Sequence, residues 1–144
     1  MFENFSEKDI EEVIDVNRLI VSHDNEPHGV NTNTLYEIFH FVNSFNDISD
    51  RRERIIKKST YILAGISYEQ PFIEGNRRTA FYLLKSFLGR NGFTLRFYNS
   101  EEEDTFADIL RRTAEVKFEK DTTIYTEVEQ YLTLKVEDVK FDYL

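Results

Sequence analysis

The chain has 144 residues, 40% hydrophobic and 31% charged, with 27 acidic against 18 basic side chains, a net charge of -9 and no cysteine. That length closes one hydrophobic core, so a single domain over residues 1–144 is expected, and the lack of cysteine excludes disulfides, thiolate metal sites and cysteine nucleophiles. The acidic balance argues against nucleic acid as a partner, and no apolar run approaches the roughly 20 residues that cross a bilayer, so no membrane association is expected either.

At the amino terminus, Met1 to Glu7 has neither the basic region nor the apolar core of a secretory signal, which places the chain in the cytoplasm. Ser6, with Asp9 three residues on, marks the start of a helix that carries Ile10, Val13, Ile14, Asn17 and Val21 on one face and ends near His23. Asp24 to Thr34 is dense in turn formers and reads as an exposed loop with room for a short hairpin. Leu35, Ile38, Phe39, Val42 and Phe45 restore helical spacing. Ser49 with Glu53 opens a further helix through Ile55, Ile56, Ile62, Leu63 and Ile66, whose basic groups Arg51-Arg52-Glu53-Arg54 and Lys57-Lys58 read as a polar face.

After the break at Gln70-Pro71, Ala80, Leu83, Leu84, Phe87 and Leu88 form one stripe ending at the Gly92 cap, the most hydrophobic helix and hence the expected central one. Phe93 to Tyr98 alternates in part and is read as a short strand or an extended connection. Ser100 with Glu103 starts a helix through Phe106, Ile109 and Leu110. A last helix runs from Thr122 through Ile124, Val128 and Leu132. The expected fold is all-α, a bundle of five to six helices around a hydrophobic one, with a hairpin or strand at most at its edge.

The chemically informative segment is Gln70-Pro71-Phe72-Ile73-Glu74-Gly75-Asn76-Arg77-Arg78-Thr79-Ala80-Phe81. A helix that begins here leaves its first amides without intrahelical partners, and with the positive end of the helix dipole they make a site for a phosphate. Gly75 lets the backbone approach an anion, Asn76 sits at the helix mouth, and Arg78 offers a planar fork of donors suited to phosphate oxygens. Glu74 is the only carboxylate in the turn, placed where a magnesium ion bridging phosphates takes one hard ligand and keeps most of its waters. Each residue also has a plainer role. Phe72 serves as a core plug, Gly75 as a turn residue, Asn76 as a helix cap and Arg77 as a solvated charge; it is the joint spacing that favours the phosphate.

This segment resembles the Fic/Doc family, whose signature H-x-F-x-[DE]-G-N-x-R-x-x-R is matched in register by Phe72, Glu74, Gly75, Asn76 and Arg78. The continuation to Gly89-Arg90-Asn91-Gly92 is similar to the Doc (death on curing) branch, as is the loop at Gly29-Val30. The resemblance implies an all-helical fold in which Gly75, Asn76, Arg77 and Arg78 hold the phosphates of ATP and Glu74 holds Mg. It also implies transfer of AMP or, as in Doc, of phosphate to a hydroxyl of a protein, which for Doc is a Thr of elongation factor Tu. The implied partners are a nucleoside triphosphate and a protein substrate or a neutralising antitoxin.

Two positions depart from the signature. Gln70 stands where the family has its proton-accepting His, and an amide has no pKa near neutrality with which to act as a general base. Phe81 replaces the last Arg and removes one phosphate contact, a departure shared with the Doc branch. The expected chain is therefore a family transferase with impaired catalysis, or else a silent nucleotide- or protein-binding module of a toxin/antitoxin pair. His23, His28 and His40 have no ligand spacing on one helix face, the run Glu101-Glu102-Glu103-Asp104 reads as a solvated helix start, and no self-inhibitory helix pattern is present, so restraint is expected from a partner.

Overall fold

Ser6 opens the first helix reciprocally. Its hydroxyl accepts from the Asp9 N–H (3.1 Å) and the Asp9 carboxylate accepts from the Ser6 N–H (2.9 Å). The structure, a computed structural model, describes residues 3–139; the ends of the expected 1–144 domain lie outside it. Helix α1 is Glu7–His23 and buries Ile10, Val13, Asn17 and Val21. Helix α2, Thr32–Asn43, is capped by Asn31 and buries Leu35, Ile38, Phe39 and Val42, and a 3-10 turn follows at Ser44–Asp47.

Helix α3 is Arg51–Glu69. Its cap is Asp50 rather than the expected Ser49: the Asp50 carboxylate accepts from the Glu53 N–H (2.9 Å), and a charged acceptor gains from the helix dipole as well as from the hydrogen bond. Helix α4 is Asn76–Arg90 and α5 is Ser100–Glu115, where Asn99 takes the capping place expected of Ser100. Helix α6 is Ile124–Lys135, reached through a second 3-10 turn, Val116–Glu119. The two strands, β1 (Phe93–Leu95) and β2 (Val136–Asp138), pair antiparallel with Leu95 opposite Val136. The sequence signalled β1 and gave no sign of β2.

The central helix is α3, not α4. It packs against α2, α4, α5 and α6, and buries nearly everything from Ile55 to Tyr68. Its amphipathic pattern hid this because four of its buried residues, Lys58, Ser59, Thr60 and Ser67, are polar. Thr60 Oγ1 donates to the Ile56 carbonyl (2.8 Å). Lys58 is fully buried, and its ammonium donates to Glu3 O (2.9 Å), Asn4 Oδ1 (2.8 Å) and Asn46 Oδ1 (2.6 Å), using all three protons. Burial lowers the Lys58 pKa.

Of the expected polar face of α3, Lys58 is buried, Arg52, Arg54 and Lys57 are half-buried, and Arg51 and Glu53 stay exposed. Arg54 grips Glu3, Arg52 donates to Thr133 O (3.0 Å) and Val136 O (2.9 Å), Arg51 donates to Asn91 O (2.7 Å), and Lys57 meets Glu129. Basic side chains on this helix stitch α3 to the amino terminus, to the end of α6 and to the end of α4. Among the described residues no helix is long and apolar enough to cross a membrane.

Candidate functional site

The chain leaves α3 at Gln70, which caps the helix in the left-handed region (φ 50°, ψ 62°) and donates its N–H to Ile66 O (3.0 Å). A non-glycine residue favours that conformation little, so the surroundings hold it there. Lys117 helps: its ammonium donates to the Glu69 carbonyl (2.9 Å), at the negative end of the α3 dipole. Buried Pro71 and Phe72 then carry the chain beneath the α1–α2 loop. The Asn31 N–H donates to Pro71 O (2.7 Å), the Ile73 N–H donates to Gly29 O (3.0 Å), and Val30 bridges Phe72. The short hairpin expected within residues 24–34 is realised instead as a pairing between that loop and the segment before α4.

Gly75 turns the chain into α4 at φ 79°, the conformation for which glycine is needed. A Cβ at Gly75 would lie 3.0 Å from Val21 Cγ1 and 3.1 Å from Asn17 Nδ2, so the turn sits directly against α1. The first backbone bond of α4 runs from the Thr79 N–H to Gly75 O (2.9 Å), and the N–H groups of Gly75, Asn76, Arg77 and Arg78 meet no acceptor among the described residues. These are the free donors of a helix start.

Gln70, Glu74, Gly75, Asn76, Arg77 and Arg78 all line one cleft of about 700 Å³, and its opposite wall is α5 through Ala107, Leu110, Arg111, Ala114 and Glu115. All six sequence-derived site residues are thereby brought together. Their side chains are not equivalent. Asn76 closes the turn on itself, with Oδ1 accepting from the Phe72 N–H (3.0 Å) and Nδ2 donating to Phe72 O (2.8 Å), so what remains for a ligand is its backbone N–H. Glu74 is exposed, and among the described residues no ion pair or hydrogen bond engages its carboxylate. Arg77 is exposed and forms no ion pair among the described residues.

Arg78 is engaged at both ends of its fork. One nitrogen donates to Asp24 and the other to Glu26, two carboxylates of the turn that ends α1. The Glu26 hydrogen bond is the main reason that the Arg78 pKa is raised further. Arg111 is likewise tied to Asp108 and Glu115. Of the three arginines lining the cleft, Arg77 alone is unpaired among the described residues.

Sequence reasoning missed Asp24, Glu26, Ser67 and the α5 wall. Ser67 is fully buried, lines the cleft, and its Oγ has no partner among the described residues. The acidic pair had a signal of a kind, an Asp and a Glu in a turn, but nothing in that turn indicates that it folds back onto an arginine 54 positions away. The α5 residues have none, because their spacing is that of an ordinary amphipathic helix.

The fold is thus a helical bundle whose central helix hands over to a glycine-led helix start without a side-chain cap, facing a cleft. The sequence model of the Fic/DOC family matches residues 8–88, more than half of the chain, and the chain belongs to that family. The match spans α1 to α4 and includes the whole turn; α5, α6 and both strands lie beyond it. No curated protein and no solved structure matches the chain.

Proposed function

We propose that the chain is a Fic/Doc-type transferase, close to the Doc branch, that takes Mg-ATP in the cleft and transfers AMP or phosphate to a protein hydroxyl, with catalysis impaired at Gln70. The observation that carries this reading is the set of four amides, Gly75 to Arg78, without an acceptor among the described residues, on residues lining a cleft that Gln70 and Glu74 also line. Free amides, a helix dipole and a nearby guanidinium are what a phosphate group requires.

The donor set suits magnesium bound through phosphate. No group of three or more His, Asp or Glu side chains among the described residues could hold a metal ion by itself, and Glu74 offers one exposed carboxylate. Magnesium characteristically uses one or two carboxylates with phosphate oxygens and retained waters. When bound, it would neutralise phosphate charge, which matters here because the Arg78 and Arg111 forks face carboxylates.

The chain's own residues divide the remaining tasks. The Gly75 to Arg78 amides orient the phosphates, Arg77 supplies an unpaired positive charge, and α5 covers the cleft from the far side. Gln70 can hold an acceptor hydroxyl by hydrogen bonding but cannot take its proton, which removes a contribution of roughly a hundredfold to ten-thousandfold.

Incubation with labelled ATP, magnesium and cell lysate tests this. Gln70→His is expected to raise label transfer by at least about a hundredfold over the unsubstituted chain. Transfer by neither protein, with Mg-ATP still bound, would favour a second reading that Gln70 itself supports, a silent nucleotide- or protein-binding half of a toxin/antitoxin pair. Failure to bind Mg-ATP at all would remove both nucleotide readings.

A further inference from the structure

We infer that Asn17 is the positioning residue of the anion turn, setting from α1 the direction in which the amides at the start of α4 point. The inference rests on the transferase reading only in taking the ligand to be a nucleotide phosphate.

Asn17 lies on the otherwise apolar face of α1 and is fully buried. Its amide nitrogen donates to the Glu74 carbonyl (2.9 Å) and to Thr79 Oγ1 (3.0 Å), so one side chain ties the turn and the first coil of α4 to a helix some sixty positions earlier in the chain. Glu74 O is an acceptor only, which fixes the amide orientation: the nitrogen must face it. Asn17 Oδ1 is then left buried without a partner among the described residues. A leucine, with the same branching, would avoid that unsatisfied oxygen, and what it would lack is a donor for Glu74.

The consequence follows from peptide geometry. In a trans peptide the carbonyl of one residue and the N–H of the next point in opposite directions. Every peptide of the described residues is trans. Drawing Glu74 O inward toward α1 therefore turns the Gly75 N–H away from α1, and the helix that starts there carries the Asn76 and Arg77 amides onward from that fixed peptide. Gly75 makes the close approach possible, since its missing Cβ is what leaves room for Asn17 Nδ2. No other side chain donates to the Glu74 carbonyl among the described residues.

Asn17→Leu removes both donated bonds with the same branching but more bulk, Asn17→Ala removes both with less, and Thr79→Val removes one of them without touching the Glu74 contact. In the ligand-free protein, hydrogen exchange of the bonded turn amides, Phe72, Ile73 and Thr79, is expected to accelerate about tenfold in Asn17→Leu, the size of its lost bond to the Glu74 carbonyl, and by a smaller factor in Thr79→Val. Exchange at Ile62 to Ile66 in α3 should stay as in the natural sequence. Mg-ADP affinity by calorimetry should fall by about tenfold in Asn17→Leu. Turn exchange unchanged in the Asn17 variants, or raised only in step with α3, overturns the inference. If Asn17→Leu does not fold, Asn17→Ala decides in the same way. If the natural sequence binds no Mg-ADP, the nucleotide reading fails while the exchange arm still judges Asn17.

Discussion

At the residue scale the cleft is a contest for donors. Arg78 has the shape to receive a phosphate, yet Asp24 and Glu26 already occupy its fork, so an incoming anion has to share the guanidinium or displace two carboxylates. Both carboxylates are partly solvated, and each ion pair is accordingly worth no more than about 1 kcal/mol, which a multiply charged ligand can outbid. Asp24→Asn combined with Glu26→Gln is expected to tighten Mg-ADP binding by about three- to tenfold in calorimetry, a gain of the size of one such pair. Arg78→Ala should weaken it by about tenfold, the worth of one charge-assisted hydrogen bond. Equal affinity in all three proteins would mean that Arg78 serves the α1 turn and not the ligand. Restraint of the site, expected from the sequence to need a partner, has a candidate source within the chain in these two acids.

At the scale of elements, the cleft depends on how α3 is anchored, since Gln70 caps its last turn. The amino-terminal segment is fastened to this helix by Arg54 on Glu3, a pair whose side chains are each 18% exposed, and by the three bonds of Lys58. The Arg54 hydrogen bond holds the Glu3 carboxyl below its ordinary value of 4.5, against the opposing effect of burial. The folded protein then binds that proton less readily than the unfolded chain does. Its contribution is complete above the unfolded value and is lost as pH falls through the lower folded one. Glu3→Gln should therefore cost about 1 kcal/mol at neutral pH and flatten the loss of stability below about pH 4.5, followed by urea unfolding across an acid series. A parallel acid limb in the variant would assign that limb to other carboxylates, such as Asp9 in its capping box or Glu127 on Arg112.

At the scale of the molecule, the part matched by the family and the part beyond it share one core. Leu132 on α6 and Leu84 on α4 are both fully buried in the same cluster, and the β1–β2 pairing ties the end of α6 back to the end of α4. Leu132→Ala is expected to destabilise the whole protein by about 2–5 kcal/mol. Because the core is continuous, unfolding should remain a single transition, with circular dichroism and tyrosine fluorescence coincident. Separate transitions for the two parts would show that α5 and α6 fold as a unit of their own, and would detach one wall of the cleft from the turn it faces.

The amino-acid sequence by itself determined the helices, because apolar spacing and caps such as Ser6 act over three or four residues, and it determined the helix start after Gly75, because Glu74 to Arg78 are consecutive. Its errors at Ser49 and Ser100 are displacements of one residue, where a neighbouring Asp or Asn offered the helix start a better acceptor. Tertiary structure alone decided which helix is central, that Lys58 lies inside, that β2 exists to pair with β1, and that Asn17, Asp24 and Glu26 reach the turn. Each of these depends on partners dozens of positions apart, and no local rule of spacing or propensity records which distant donor will meet which acceptor once the core has closed.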